Sequence, residues 1–241
     1  MPTTEFEDIS STELRVAGDV NLEKVLLTSL ASNTYFDIKN QVITVQVFED
    51  MFSPFITGSL TIKDSLDLIN NMPFVGQEYL DLKIFTPTLD VSLKNAGIIQ
   101  GRFYIYKMAD RHEMAERNIM YQLHFISMEA IADLNTKLSK GYDGKISDIV
   151  QKLLVTDDAL STKKKIQIEE TGNKTKYVSN FWSPIRNMNY IVQHAQNKNK
   201  SPTYVFFESR FGYNFVSLDT LNAQQPLQYF INNNSQDSIS P

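Results

Sequence analysis

The chain contains no cysteine. Disulfide frameworks, thiolate nucleophiles, iron–sulfur clusters and cysteine-ligated zinc are therefore excluded, and the composition suits folding in a reducing cytoplasm. Histidine is almost as scarce: the three present, His112, His124 and His194, are not paired at metal-ligand spacing and form no H-E-x-x-H arrangement. No G-x-S-x-G elbow, Walker loop, G-x-G-x-x-G fingerprint or EF-hand loop occurs, which removes the commoner hydrolase, nucleotide and calcium readings. Also missing is an apolar run of the roughly 18 residues that a spanning helix needs, so no membrane embedding is expected. The opening residues, Met1-Pro2-Thr3-Thr4-Glu5-Phe6-Glu7-Asp8, are acidic and do not read as a secretory signal. Finally, there is no excess of positive charge. With 23 Lys and Arg against 28 Asp and Glu, the net charge is −5, and no stable nucleic-acid binding is expected.

What is present describes a folded chain. Its 241 residues suffice for one large or two small domains, and 42% hydrophobic with 21% charged residues is a globular composition. The 15 Phe and 11 Tyr gather in segments of period 2, which favours strands. Gln41 to Glu49 alternates with Ile43, Val45 and Val47 on one face. Phe55 to Lys63 places Ile56, Gly58, Leu60 and Ile62 in one register, where the glycine marks a bulge or a close backbone approach. A short helix or turn capped by Asp64 is expected up to Met72, and a further strand over Tyr79 to Phe85. Ile99 to Met108 and Asn118 to Ser127 form the longest extended pair, with the charged stretch from Ala109 to Arg117 as a solvent-facing connection. Both faces of this pair carry apolar residues: Tyr104, Tyr106 and Met108 oppose Phe103 and Ile105, and Met120 and Ile126 oppose Tyr121, Leu123 and Phe125. A neighbouring layer or subunit should cover the second face.

After Ser127 the period becomes helical. Met128 to Lys140 carries Ile131, Leu134 and Leu138, and a second stripe of Ile146, Ile149, Val150, Leu153 and Leu154 follows the turn Gly141-Tyr142-Asp143-Gly144. Short strands are expected over Lys163 to Glu170 and Thr175 to Ser179, joined at Gly172-Asn173. Ser183-Pro184 starts a helix reaching about Gln196, buried through Ile185, Met188, Ile191, Val192 and Ala195. Thr203 to Leu218 reads as an aromatic hairpin turning at Ser209-Arg210-Phe211-Gly212.

These patterns give an α+β, mainly antiparallel β chain: a flexible N-terminus over 1–13, a β-barrel or sandwich over 14–127, an α+β insertion over 128–202, and a hairpin over 203–241. For chemistry, Glu49-Asp50 and Asp64 with Asp67 are the acidic pairs available to glycoside hydrolysis, which needs two carboxylates facing one cleft. The plainer reading of Asp64 is a helix cap. Lys163-Lys164-Lys165 reads as a solvated edge that discourages strand addition. The rings from Tyr204 to Phe215 lack the basic surroundings of a base-stacking platform and read as core or interface. No catalytic, cofactor or metal residue is assigned.

The series Asn180-Phe181-Trp182-Ser183-Pro184, then Asn189-Tyr190-Ile191-Val192-Gln193-His194-Ala195, then Tyr204 through Leu221, resembles the baseplate hub proteins of contractile-tailed bacteriophages. In that family an aromatic-proline stretch leads into a helix, and a hairpin of the form Phe-Phe-Glu-x-Arg-x-Gly-Tyr-x-Phe-x-Ser-Leu follows, here Phe206 to Leu218. Upstream, Asp50-Met51-Phe52-Ser53-Pro54-Phe55-Ile56-Thr57-Gly58-Ser59-Leu60 and His124-Phe125-Ile126-Ser127 are similar to the first tube-like barrel of those hubs. The resemblance spans roughly residues 14 to 221.

It implies a non-enzymatic virion component in the tail baseplate, assembled in the host bacterial cytoplasm. Such a hub connects the hexameric tail tube to the trimeric central spike and forms part of the channel for DNA passage; related hubs occur in type VI secretion spike proteins. Implied partners are further copies in a homotrimeric ring, the tail-tube protein, the central spike and other baseplate proteins. The family's two barrels per chain leave a mismatch: 203–241 would hold the hairpin and the start of an incomplete second barrel, because the twenty residues after Leu221 are too few to complete it. A fragment and a reduced second barrel, trimer and hexamer, all stay open. Glu49, Asp50, Asp64 and Asp67 are candidates for an acidic channel surface. Two other classes remain beside the hub: a cell-wall or glycan-degrading enzyme, and a glycan-binding β domain for host adsorption.

Overall fold

The computed structural model describes residues 20–31, 33–72, 74–86, 97–113 and 118–225. The expectations for 1–13, for the connection through 114–117 and for the chain after Gln225 lie outside the described residues. Two compact units are present: one takes the residues up to Thr136 together with Glu208–Phe211, the other Lys137–Phe207 and the residues from Gly212 on.

The first unit is a seven-stranded sheet of β1 (Asn21–Ser29), β2 (Thr34–Asp37), β3 (Val42–Phe48), β4 (Thr57–Asp64), β5 (Glu78–Phe85), β6 (Ile98–Glu113) and β7 (Ile119–Ser127). Its order is β2-β1-β5-β6-β7-β4-β3, and every pairing is antiparallel. The two end strands are consecutive in the chain, separated by Ile38 and the 3-10 turn Lys39–Gln41. The Ile38 N–H donates to the Val25 carbonyl at 2.9 Å, and the β3–β4 ladder begins at Val42 opposite Ile62. One segment, 34–48, thus serves both ends of the sheet, which must curl into a half-barrel around a shared core. That core holds Val25, Leu27, Ile38, Leu60, Leu80, Phe103, Tyr121 and Phe125. Gly58 is the expected close approach: a Cβ there would lie 2.3 Å from Cζ of Phe125 and 2.4 Å from the Gln46 carbonyl.

Bulges correct the face assignments. Register shifts at Val42/Thr44 and Ile105/Lys107 each insert a residue and reverse the alternation beyond it. Ile43 is therefore exposed while Val42, Val45 and Val47 pack on the core, and Met108 joins the core while Tyr106 faces out. The connection expected from Ala109 onward is instead strand as far as Glu113, paired to β7 through Ala109–Gln122, His112–Met120 and Glu113–Ile119. Beyond Tyr104 this ribbon has no β5 partner, so its polar side chains stand in solvent and the sequence imitates a loop. The helix expected over Met128 to Lys140 stops early: α2 is Met128–Asn135, following α1 (Leu68–Asn71), and Leu134 is exposed.

In the second unit, Gly141-Tyr142-Asp143-Gly144 is not a turn. It lies in β8 (Gly141–Lys145), which pairs with β10 (Lys174–Val178), and Tyr142 stacks on Tyr177. β9 (Ile166–Ile168) does not pair with β10 either; it runs parallel to β12 (Gly212–Ser217), which lies beside β11 (Tyr204–Ser209). The parallel contact requires Gly212, where φ is +126° and a Cβ would lie 2.1 Å from the Lys165 carbonyl oxygen. α3 (Ile146–Val155) buries the expected stripe. α4 (Pro184–Val192), shorter than expected, begins where the Ser183 hydroxyl accepts the Arg186 N–H, and a short α5 (Leu218–Asn222) follows the hairpin. The α+β, mainly antiparallel fold class is as the sequence indicates, with a tube-like curled sheet, an α+β portion and an aromatic hairpin.

Candidate assembly surface

The acidic pairs do not converge. Asp64 is buried, its carboxylate accepting the N–H groups of Leu66 at 3.0 Å and Leu68 at 2.9 Å and the Tyr121 hydroxyl at 3.3 Å. Burial, reinforced by that carboxylate, pushes the Tyr121 hydroxyl far above its ordinary value. Asp67 is exposed in a left-handed conformation and accepts from the Asn70 amide. Asp50 accepts the Phe52 N–H at 2.9 Å, while Glu49 accepts the Arg210 backbone N–H. Asp50 and Asp64 are spent on nearby backbone N–H groups, Asp67 on a side-chain amide and Glu49 on Arg210, and buried Asp64 cannot line a channel. Two buried carboxylates that the sequence did not flag act the same way: Glu78 gathers the N–H groups of Val75, Gly76 and Gln77, and Glu208 accepts that of Ile56 at 2.9 Å. Nothing in a single sequence separates such acids from solvated ones.

The three histidines are apart from one another. His112 is exposed on the β6 extension, His124 lies beside Tyr106 on the outer sheet face, and His194 is exposed at the end of α4 with Nδ1 2.9 Å from the Tyr190 carbonyl. Among the described residues no three His, Asp or Glu side chains gather as a metal site. Lys163 and Lys165 are exposed ahead of the edge strand β9, as a solvated edge should be. The hairpin rings are core: Tyr204 stacks on Phe215 at 4.8 Å, and Phe206 on Tyr213 at 5.5 Å. Burial, with Glu169 beside it, pushes the Tyr204 hydroxyl up to about 12.

The outer face of the curled sheet is more polar than the strand pattern suggests. Asp81 receives Arg102 through two hydrogen bonds, at 2.6 and 2.9 Å, and Lys24 at 3.3 Å. Those bonds from Arg102 hold its carboxyl below the usual carboxylate range, against the opposing effect of burial. Ser59 bridges Gln46 and Gln122 at 3.1 Å each. Tyr79 and Tyr104 meet edge to face beside Arg102. The surface is thus satisfied and amphipathic, the composition of a face that meets both water and protein.

The second unit carries a feature that the sequence reading missed, a continuous series of rings. Tyr142 stacks on Tyr177, Tyr177 on Tyr190 at 5.3 Å, Tyr190 meets Trp182 edge-on at 5.7 Å and His194 at 5.0 Å, and Arg186 lies 4.6 Å over Trp182. Tyr177 is anchored by its hydroxyl to buried Asn187, whose amide holds the carbonyls of Trp182 and Ser183. Next to these rings Phe181 is 68% exposed at φ +57°, a conformation that bulky residues rarely take. The i, i+4 spacing of Tyr190 and His194 and the strand carrying Tyr177 were legible; the pairing of that strand with β8 was not.

No protein-family model matches the chain, and no curated protein does. Several solved structures are similar. The 43 kDa tail protein of prophage MuSo2 from Shewanella oneidensis aligns with TM-score 0.48 at 7% identity, covering 80% of this chain and 54% of that one. A tail protein from Neisseria meningitidis MC58 gives TM-score 0.48 at 10% identity over 80% and 49%. An Escherichia coli component of the type VI secretion system, itself similar to bacteriophage T4 tail proteins, gives 0.45 at 10% identity over 82% and 48%. The chain spans about half the length of these proteins.

Proposed function

We propose that the chain is a non-enzymatic structural subunit of a phage-type tail baseplate: a hub component that forms a homotrimeric ring and joins a hexameric tail tube to a central spike. The observation that carries this reading is the curled antiparallel sheet closed by segment 34–48, followed in order by the Ser-Pro helix and the aromatic hairpin of the hub resemblance. The dispersal of Glu49, Asp50, Asp64 and Asp67 onto backbone N–H groups and neighbouring amides weighs against the glycan-hydrolase alternative, which needs two carboxylates across one cleft. The outer sheet face, ordered by the Asp81–Arg102 and Gln46–Ser59–Gln122 contacts, supplies a surface suited to protein partners. The test is the solution mass of the chain by light scattering, alone and mixed with the tube and spike proteins of its own particle. A mass three times the 27.6 kDa of one chain, shifted further by either partner, supports the reading. A strict monomer that joins neither overturns it.

A further inference from the structure

The ring series of the second unit borders a groove between β10 and α4, floored by Ile146 and Ile191 and walled by Thr175, Tyr177, Tyr190 and His194. Tyr190 is 43% exposed while its neighbours hold it on both sides. An aromatic ring fixed in place before contact loses little rotamer freedom when covered, the condition under which tyrosine and tryptophan become anchors of protein interfaces. Lys176 also lines the groove, paired with Asp143 at 3.4 Å, and Lys174, two residues before it on β10, is exposed beside the groove.

Charge is divided unevenly along the chain. Residues 137–207 and 212–241 carry 12 Lys and Arg against 8 Asp and Glu, a net of +4, and the remainder carries 11 against 20, a net of −9. Opposite signs on two units of one polypeptide make copies of it complementary to each other. We propose that the groove of the second unit receives the acid-rich first unit of another copy of this chain. The contact is heterologous, since each copy offers one aromatic groove on a net-basic unit and one net-acidic unit, and repetition of such a contact builds a ring. The inference rests on the baseplate reading only in taking self-assembly as the chain's purpose.

Sedimentation velocity of the full chain tests it, in wild type and in two variants, Lys174→Glu/Lys176→Glu and Tyr190→Ala, each checked for folding by circular dichroism. Wild type should associate at about 0.01 M salt and dissociate towards about 1 M, as the screening length falls from about 30 to about 3 Å. The double lysine variant should need at least about tenfold more protein for half association. Tyr190→Ala, which leaves the charge unchanged, should shift the same way and so separates the groove from a general charge effect. Association of both variants equal to wild type overturns the inference and leaves the baseplate reading standing, because the copies then assemble through another surface. A wild-type chain that stays monomeric at low salt also overturns it.

Discussion

Gly58 on β4 faces Phe125 on β7 so closely that a methyl group added to the glycine would sit 2.3 Å from the ring's Cζ. The Gln46 carbonyl blocks the other side at 2.4 Å, so neither relief is a simple rotamer change. Gly58→Ala should cost about 2 to 4 kcal/mol of stability, at or above the upper end for overpacked cores. Phe125→Leu in the same chain should recover part of that loss and show coupling between the sites. Urea unfolding of the single and double variants measures both. A Gly58→Ala chain within about 0.5 kcal/mol of wild type would contradict the packing described.

The two members of one acidic pair should respond unequally to the same change. Asp64→Asn turns an acceptor of two backbone N–H groups and a tyrosine hydroxyl into a group with half the acceptor capacity, at a cost of about 1 to 3 kcal/mol. Asp67→Asn should be nearly neutral, because the residue is exposed and asparagine tolerates its left-handed backbone. Thermal melts of the two variants decide the matter, and equal losses would refute the roles assigned.

Asp81 links stability to acid pH. Its pKa is depressed in the folded chain, so its contribution is present above the unfolded carboxylate value near 3.9 and disappears as pH falls through the lower folded value. Asp81→Asn should lower stability by about 1 kcal/mol at pH 7, a modest figure because Arg102 is largely exposed. The gap between variant and wild type should narrow as pH falls below about 3.9 through the lower folded value. Urea midpoints at pH 7 and along a series of acid pH values test this; a gap of constant size would contradict it.

Tyr204 gives the alkaline counterpart. Its raised value means that its contribution is intact below the unfolded tyrosine value near 10 and is lost as pH climbs towards about 12. In Tyr204→Phe, which removes the ionisable group, the loss of stability between about pH 10 and 12 should be smaller than in wild type. A loss of the same size in both would show that Tyr204 is not so shifted.

How much of this was legible in the sequence depends on what each residue answers to. Strands β4, β5 and β7 and helix α3 show themselves because their side-chain period and their burial coincide. Gly58 announces a bulge or a close approach, the two roles a glycine in mid-strand suggests, and the close approach is what the structure shows. Ile43 and Met108 mislead, since a bulge reverses alternation without leaving a mark in the composition. The strand from Ala109 to Glu113 was hidden by its solvation on both faces, and β8 by glycines at both ends of Gly141-Tyr142-Asp143-Gly144, which read as a turn. For the candidate surface, Tyr190 and His194 share a helical face in plain view, but Tyr177 reaches them only through the β8–β10 pairing. The backbone-clamping tasks of Asp64, Glu78 and Glu208 depend on loops that a single sequence does not describe.

The measurement that bears most directly on the central claim is electron microscopy of particles from the producing cell, with and without the gene for this chain, and with the chain tagged. The account predicts a tag confined to the baseplate end of the tail, and particles without the chain whose tubes lack an attached spike. Complete baseplates in the deletion strain, or a tag absent from the tail, would contradict it.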